Sequence, residues 1–271
     1  MELAHLPEAQ YYLAPGGCIY CGTADDLSDE HIIPRSLGGQ IVLRDASCGR
    51  CAREIGNYEA ACLQQTFIQA RTFLKLPMYK PRYRLETLRL GTADSFGPQI
   101  EGFDWTNVPV ADHPAAIGLP RLIPPGLLVG RPPEVGCVVA GVQTRFLNGP
   151  PPSQVEGKPA GLFLKVDAEK LCRFHAKIAH GAALATLGPG RFTPLLLHTI
   201  LNRSDDVSTY VGGTNRSRWP ETGPLHDISL HLEQGYLVAR IRLFSRYGFA
   251  PWVVVVGTLR DSPPLYRHWR G

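Results

Sequence analysis

The chain has 271 residues, 44% of them hydrophobic and 19% charged, with a formal net charge of +4. This is an ordinary globular balance, large enough for one large domain or a small one joined to a medium one. No stretch approaches the ~18 consecutive apolar residues that span a bilayer. Glu2, Pro7 and Glu8 exclude the charged head and apolar core of a signal peptide. The mild positive charge suits a polyanionic partner without requiring one.

In chain order, residues 1–16 read as an irregular lead-in closed by Pro15-Gly16-Gly17. Residues 17–90 form a first module, compact from 17 to about 80. Within it, His31-Ile32-Ile33 reads as a short strand stopped by Pro34. Ile41-Val42-Leu43 reads as a second strand, with Gly38-Gly39 as the turn between them. A helix is predicted from about Ser47, capped by Asp45 or Ser47 and free of proline until Pro77. Gly56, Thr66 and Thr72 interrupt its helical spacing of apolar residues, which leaves one helix or two. A basic run follows (Arg71, Lys75, Lys80, Arg82, Arg84, Arg89), and Arg260, Arg267 and Arg270 repeat it at the tail. Such runs are either solvated faces or polyanion surfaces.

Residues 91–271 read as a larger mixed α/β domain whose topology periodicity does not give. Its glycine- and proline-rich first part carries two strand-like segments, "GCVVAGVQTRFL" and "GLFLKVD". "DAEKLCRFHAKIAHGAALATLG" is a helix with Asp167 at its start and Gly188-Pro189 as its stop, and "TPLLLHTIL" is a second helix. "DISLHLEQGYLVARIRLF" reads as two strands about Gln234-Gly235, and "WVVVVGTL" as a buried strand. His175 and His180 lie five apart and share no helix face, and His226 and His231 point opposite ways on a strand, so neither pair is a metal site.

Four of the seven cysteines form two Cys-x-x-Cys pairs, Cys18/Cys21 and Cys48/Cys51. Two residues inside each pair let both thiolates reach one ion from a single turn, and two pairs complete a closed tetrahedral zinc site with no open position for substrate. This cysteine usage indicates a reducing, cytoplasmic setting. Cys62, Cys137 and Cys172 read as core residues. The 26 residues between the pairs leave room for an insertion. There Glu30-His31 is either a surface pair or the heart of an active site, and the two side chains diverge on a strand unless it is twisted or they sit at its start.

The combination of Cys-x-x-Cys, "DEHIIPRSLGG" and "ASCGRC" resembles the HNH nucleases of the ββα-metal fold, over about residues 17–75. The whole chain is accordingly expected to be α+β, a ββα-metal module with a four-cysteine zinc site ahead of the larger domain. The resemblance implies an endonuclease in which His31 is the general base that takes a proton from the attacking water. It implies that Glu30 holds a catalytic Mg²⁺ or Mn²⁺, and that the products carry a 5′ phosphate and a 3′ hydroxyl. Arg35, Arg50 and Arg53 are either solubility charges or phosphate contacts.

The implied substrate is DNA, duplex favoured and RNA not excluded, in bacterial or phage restriction or antiviral defence. Residues 91–271 would supply recognition, assembly in a homo-oligomer or larger complex, or control. The sequence departs from the family pattern at Ile41-Val42-Leu43, where the middle Asn usually lies, and at Ala52, where a metal-binding His or Asn commonly follows the last cysteine. Position 52 shares a helix face with 55, 56 and 59, so Glu59, then Asn57, is the expected substitute ligand. The alternative reading is a zinc-dependent nucleic-acid-binding subunit without catalysis.

Overall fold

The structure, a computed structural model, describes residues 10–13, 16–77, 85–92, 104–150, 153–155, 158–162, 164–214, 219–221, 223–260 and 268–270. Lys80, Arg82, Arg84 and Arg267, all part of the predicted basic runs, lie outside these residues. The architecture is α+β, with a small ββα unit ahead of a larger mixed region.

The N-terminal unit is a three-stranded sheet and a helical arm. Strand β1 (Gln10–Leu13) lies within the expected lead-in and pairs parallel with β3 (Ile41–Cys48); β2 (Leu27–His31) pairs antiparallel on the other side of β3. The first strand therefore ends at His31 instead of beginning there. Ile32 and Ile33 turn into the core, at 1% and 7% exposure, ahead of a 3₁₀ turn over Arg35–Leu37. Gly38, at φ 87°, and Gly39 make the return as predicted; a Cβ on Gly39 would stand 1.9 Å from the Ile33 carbonyl oxygen. Helix α1 (Gly49–Ala61) starts at Cys48 with no side-chain cap. Ser47 remains in β3, and Asp45 takes a left-handed φ of 48°. A π-helical turn, Cys62–Thr66, separates α1 from α2 (Ile68–Phe73), which resolves the question of one helix or two.

The remainder begins with β4 (Thr87–Thr92), β5 (Asp104–Pro109), β6 (Ala116–Leu122), α3 (Gly126–Val129), β7 (Val139–Phe146), β8 (Gln154–Val155) and β9 (Lys158–Gly161). The boundary expected at residue 90 falls inside β4. Then come α4 (Ala168–Leu187), β10 (Phe192–Pro194), α5 (Leu197–Ile200), α6 (Val207–Tyr210) and β11 (Val211–Gly212). The chain closes with β12 (His226–Glu233), β13 (Tyr236–Leu243), β14 (Trp252–Leu259) and β15 (His268–Arg270). The main sheet runs β10-β14-β13-β12-β15, with β11 also on β14. The hairpin about Gln234-Gly235 is as predicted, with both residues at positive φ.

Two expectations fail locally. Residues 164–167 of "GLFLKVD" form no strand. Leu164 and Val166 instead pack over Gly118 of β6, where a Cβ would meet Leu164 Cδ1 at 2.9 Å. "TPLLLHTIL" gives β10 and only the single helical turn α5.

Helix α4 is the axis of the molecule. The Asp167 carboxylate accepts from the Lys170 N–H at its start, as the sequence suggested. Every residue from Leu171 to Ala183 is buried, so the helix has no solvent face there. It packs against α1 on one side and β13 and β14 on the other, and one hydrophobic cluster runs from Cys18 to Val256 without a break. Each large apolar side chain in that cluster, such as Phe67, Phe174 or Ile178, contributes about 1.5–3 kcal/mol by leaving water. Among the described residues no helix is long and apolar enough to cross a membrane.

Three buried histidines also bind the core. The His175 ring stacks on Trp252 at 3.8 Å and lies 2.7 Å from the Leu171 carbonyl. His180 donates to the Ile19 carbonyl and His226 to the Leu37 carbonyl, both in the N-terminal unit. Burial lowers their pKa values to about 3 for His175 and about 4 for His180 and His226. The unfolded chain therefore takes up protons that the folded chain refuses. Stability is full above pH ~6.5 and falls as pH drops toward 4, by about 1.4 kcal/mol per pH unit for each histidine. Thermal unfolding followed by circular dichroism should show a steep fall in Tm between pH ~6.5 and ~5; a flat profile contradicts this assignment.

Candidate functional site: a zinc knuckle and a buried carboxylate–ammonium cluster

The zinc site is assembled from two turns. In the first, the Cys18 N–H donates to the Thr23 carbonyl and the Gly22 N–H to the Cys18 carbonyl, with Gly22 at φ 80°. The Ile19 N–H docks this turn on the Ala46 carbonyl of β3. In the second turn, Cys48 ends β3 and Cys51 lies in the first turn of α1, fully buried. The four Sγ atoms lie within 4.8 Å of one another, and those of Cys21 and Cys48 are 3.6 Å apart. Tetrahedral Zn²⁺ with bonds of about 2.3 Å needs sulfurs about 3.8 Å apart, so the four thiolates fit one zinc ion and leave it no open ligand position. The exposed Arg50 guanidinium sits beside Cys21.

A β-bulge sets the next pair. The β2–β3 register shifts between Ser28 and Glu30, and the Asp29 carboxylate accepts from the Asp45 N–H at 3.2 Å. Asp29 therefore faces solvent while Glu30 points inward at 8% exposure. His31, at the strand end, is half-buried, and its Nδ1 is buried with no hydrogen-bond partner among the described residues. Burial and the Lys177 charge lower the His31 pKa, with Arg35 adding and Glu30 and Asp29 opposing, so the ring is neutral at neutral pH.

Glu30 does not stand alone. Lys177 of α4 enters from the far side, and its Nζ lies 2.5 Å from Glu30 Oε1 and 3.0 Å from Glu59 Oε1. The same Nζ donates to the His31 carbonyl, with the Ile32 carbonyl at 3.4 Å. The ammonium side chain is 1% exposed, and the carboxylate side chains are 10% and 19% exposed. Burial alone would lower the Lys177 pKa, but Glu30 and Glu59 more than reverse this and raise it, so the group stays charged. Burial raises the Glu59 pKa and Lys177 opposes the rise. The phenols of Tyr20 and Tyr58 close the cluster. Both are raised well above the usual range by burial, with Glu30 and Glu59 adding to it, and neither hydroxyl has a hydrogen-bond partner among the described residues.

The candidate residues thus separate. Glu30 and Glu59 converge on one cation, and His31 lies beside them. Asn57 is set apart and lines a different cleft with Glu54, Asp167 and Arg203. Arg35 and Arg53 are exposed. Arg71, from the basic run, is spent internally, donating to the Ser36 and Leu63 carbonyls. The sequence patterns do not single out Lys177. Its one signal is a lone lysine within the otherwise apolar and histidine-containing stretch "FHAKIAHGAALA".

A catalytic Mg²⁺ does not fit this arrangement. It requires near-octahedral oxygen ligation at about 2.0–2.1 Å with several waters, and the two carboxylates are mostly buried and bridged by an ammonium. A divalent ion about 4 Å from that ammonium would meet a repulsion of about 8 kcal/mol at an effective dielectric constant of about 20.

A hairpin and helix clamped by four cysteines, with Glu-His at the end of the first strand, define a zinc-knuckle ββα module. Residues 18–68 match the sequence model of the HNH endonuclease family, and this segment is an HNH domain. Nothing among curated proteins or solved structures matches the chain. An HNH domain with a cysteine metal site indicates a nuclease or nucleic-acid-binding function.

Loss of one thiolate should open the zinc site. Cys48→Ser is expected to lower bound zinc from one per chain to none, and to lower Tm by more than about 10 °C. Elemental analysis of the purified variant checks the first and thermal unfolding the second.

Proposed function

We propose that this chain is an endonuclease that hydrolyses nucleic-acid phosphodiester bonds, with His31 as its general base and duplex DNA as the favoured substrate. The observation that carries this is the position of His31. It ends β2 on the zinc-clamped hairpin of an HNH domain, half-buried beside Glu30, with part of the residue in reach of solvent. A neutral imidazole there takes a proton from water; the resulting hydroxide attacks phosphorus in line, and the P–O3′ bond breaks with the 3′ oxygen taking a proton from solvent, which leaves a 5′ phosphate and a 3′ hydroxyl. Exposed Arg35, one turn beyond, supplies positive charge for the phosphate, and Arg50 and Arg53 at the start of α1 supply contacts to the backbone on either side.

In the present arrangement Lys177 spans both carboxylates, and the proton transfer rests on His31 alone. Residues 17–90 act as the cutting module, and residues 91–271 supply recognition, assembly and control, in a setting such as restriction or antiviral defence.

A second reading, nucleic-acid binding without cleavage, draws on two observations. Lys177 holds the carboxylates, and Ala52 offers no ligand. Supercoiled plasmid separates the two readings. Nicking by the wild type, reduced at least about 100-fold by His31→Ala with DNA binding retained, is the expected result. Equal cutting by His31→Ala removes the base assignment, and DNA binding without nicking under any metal condition establishes the second reading.

A further inference from the structure

We propose that Lys177 is a built-in occupant of the cation position of this HNH domain: its ammonium holds Glu30 and Glu59 together and keeps a divalent ion out of that position. The inference rests on the HNH reading for the identity of that position, and on geometry for its occupant.

Lys177 Nζ lies at ion-pair distance from Glu30 Oε1, 2.5 Å, and Glu59 Oε1, 3.0 Å, and donates to the His31 carbonyl. Two carboxylates and a carbonyl form the donor set that a hard cation prefers, and here the chain supplies the cation itself. The lysine is not free to swing away. Gly181, one turn on, brings α4 so close to the hairpin that a Cβ would lie 3.3 Å from Ile32 Cγ1. His180 holds the first zinc turn through the Ile19 carbonyl. The seat of α4 against the hairpin therefore keeps the ammonium between the two carboxylates. In this way the accessory region reaches the centre of the HNH domain and fills its cation position.

The test reads ion occupancy, using zinc-loaded full-length chain and Mn²⁺ alone, followed by the electron paramagnetic resonance of free Mn²⁺. Mn²⁺ ranks below zinc for thiolate sites, so the knuckle does not interfere. Wild type should take up no Mn²⁺ in the micromolar range. Lys177→Met should bind one Mn²⁺ per chain at least about 100-fold more tightly, and Lys177→Met/Glu59→Gln should lose that site. Mn²⁺ should also raise the Tm of Lys177→Met and leave the wild-type Tm unmoved.

If Lys177→Met is unfolded without metal, refolding on addition of Mn²⁺ supports the proposal, and failure to refold counts against it. Micromolar Mn²⁺ uptake by wild type that Glu59→Gln abolishes overturns it, whatever the lysine variant does. Cleavage is not the readout, so a chain that binds DNA without cutting can still pass. A nuclease dependent on His31 whose wild type already binds Mn²⁺ at Glu59 fails this proposal and keeps the nuclease reading.

Discussion

A single buried ammonium governs how this chain is put together. Lys177 is 1% exposed, and a charge in that position persists only where opposite charges and hydrogen-bond acceptors surround it. Glu30 comes from β2, Glu59 from α1, and Lys177 from the central helix of the larger region. None of the three tolerates burial without the others. The ββα unit and the remainder consequently behave as one packed body, even though the match to the HNH family stops at residue 68.

The surrounding contacts repeat this logic with weaker groups. His180 and His226 reach from the larger region to backbone carbonyls of the zinc turn and the 3₁₀ turn, and Thr66 donates to the Lys165 carbonyl. The Gln69 side chain accepts from the Ala116 N–H of β6. Each satisfies a polar group that would otherwise be buried and unpaired, so separation of the two parts would expose several at once. The closed four-cysteine site fixes the hairpin from within, while these bonds fix it from outside. His31 is left at the margin, with its backbone carbonyl held and the residue half open to solvent.

Short-range patterns were the legible part of the fold. Cysteine spacing located the metal site, Gln234-Gly235 located a hairpin, and Asp167 and Gly188 bounded α4. Each depends on residues a few positions apart. The candidate site was half legible. Helical phase placed Glu59 on the face toward Glu30, and family resemblance drew attention to His31 and Glu30. Hidden from local patterns were the bulge at Asp29 that turns Glu30 inward, the pairing of Gln10–Leu13 with β3, and the arrival of Lys177. All three arise from tertiary pairing, and a lysine in an apolar helix carries no mark of which acids it will meet.

The sequence separation of this ion pair has a consequence for biosynthesis. Lys177 lies 146 residues after His31, whose carbonyl it caps. At translation rates of about 5–20 residues per second, the zinc hairpin leaves the ribosome roughly 7–30 s before its counter-charge is made. During that interval Glu30 on the hairpin and Glu59 on α1 have no ammonium to neutralise them, and the carboxylates stay in water until the central helix is made.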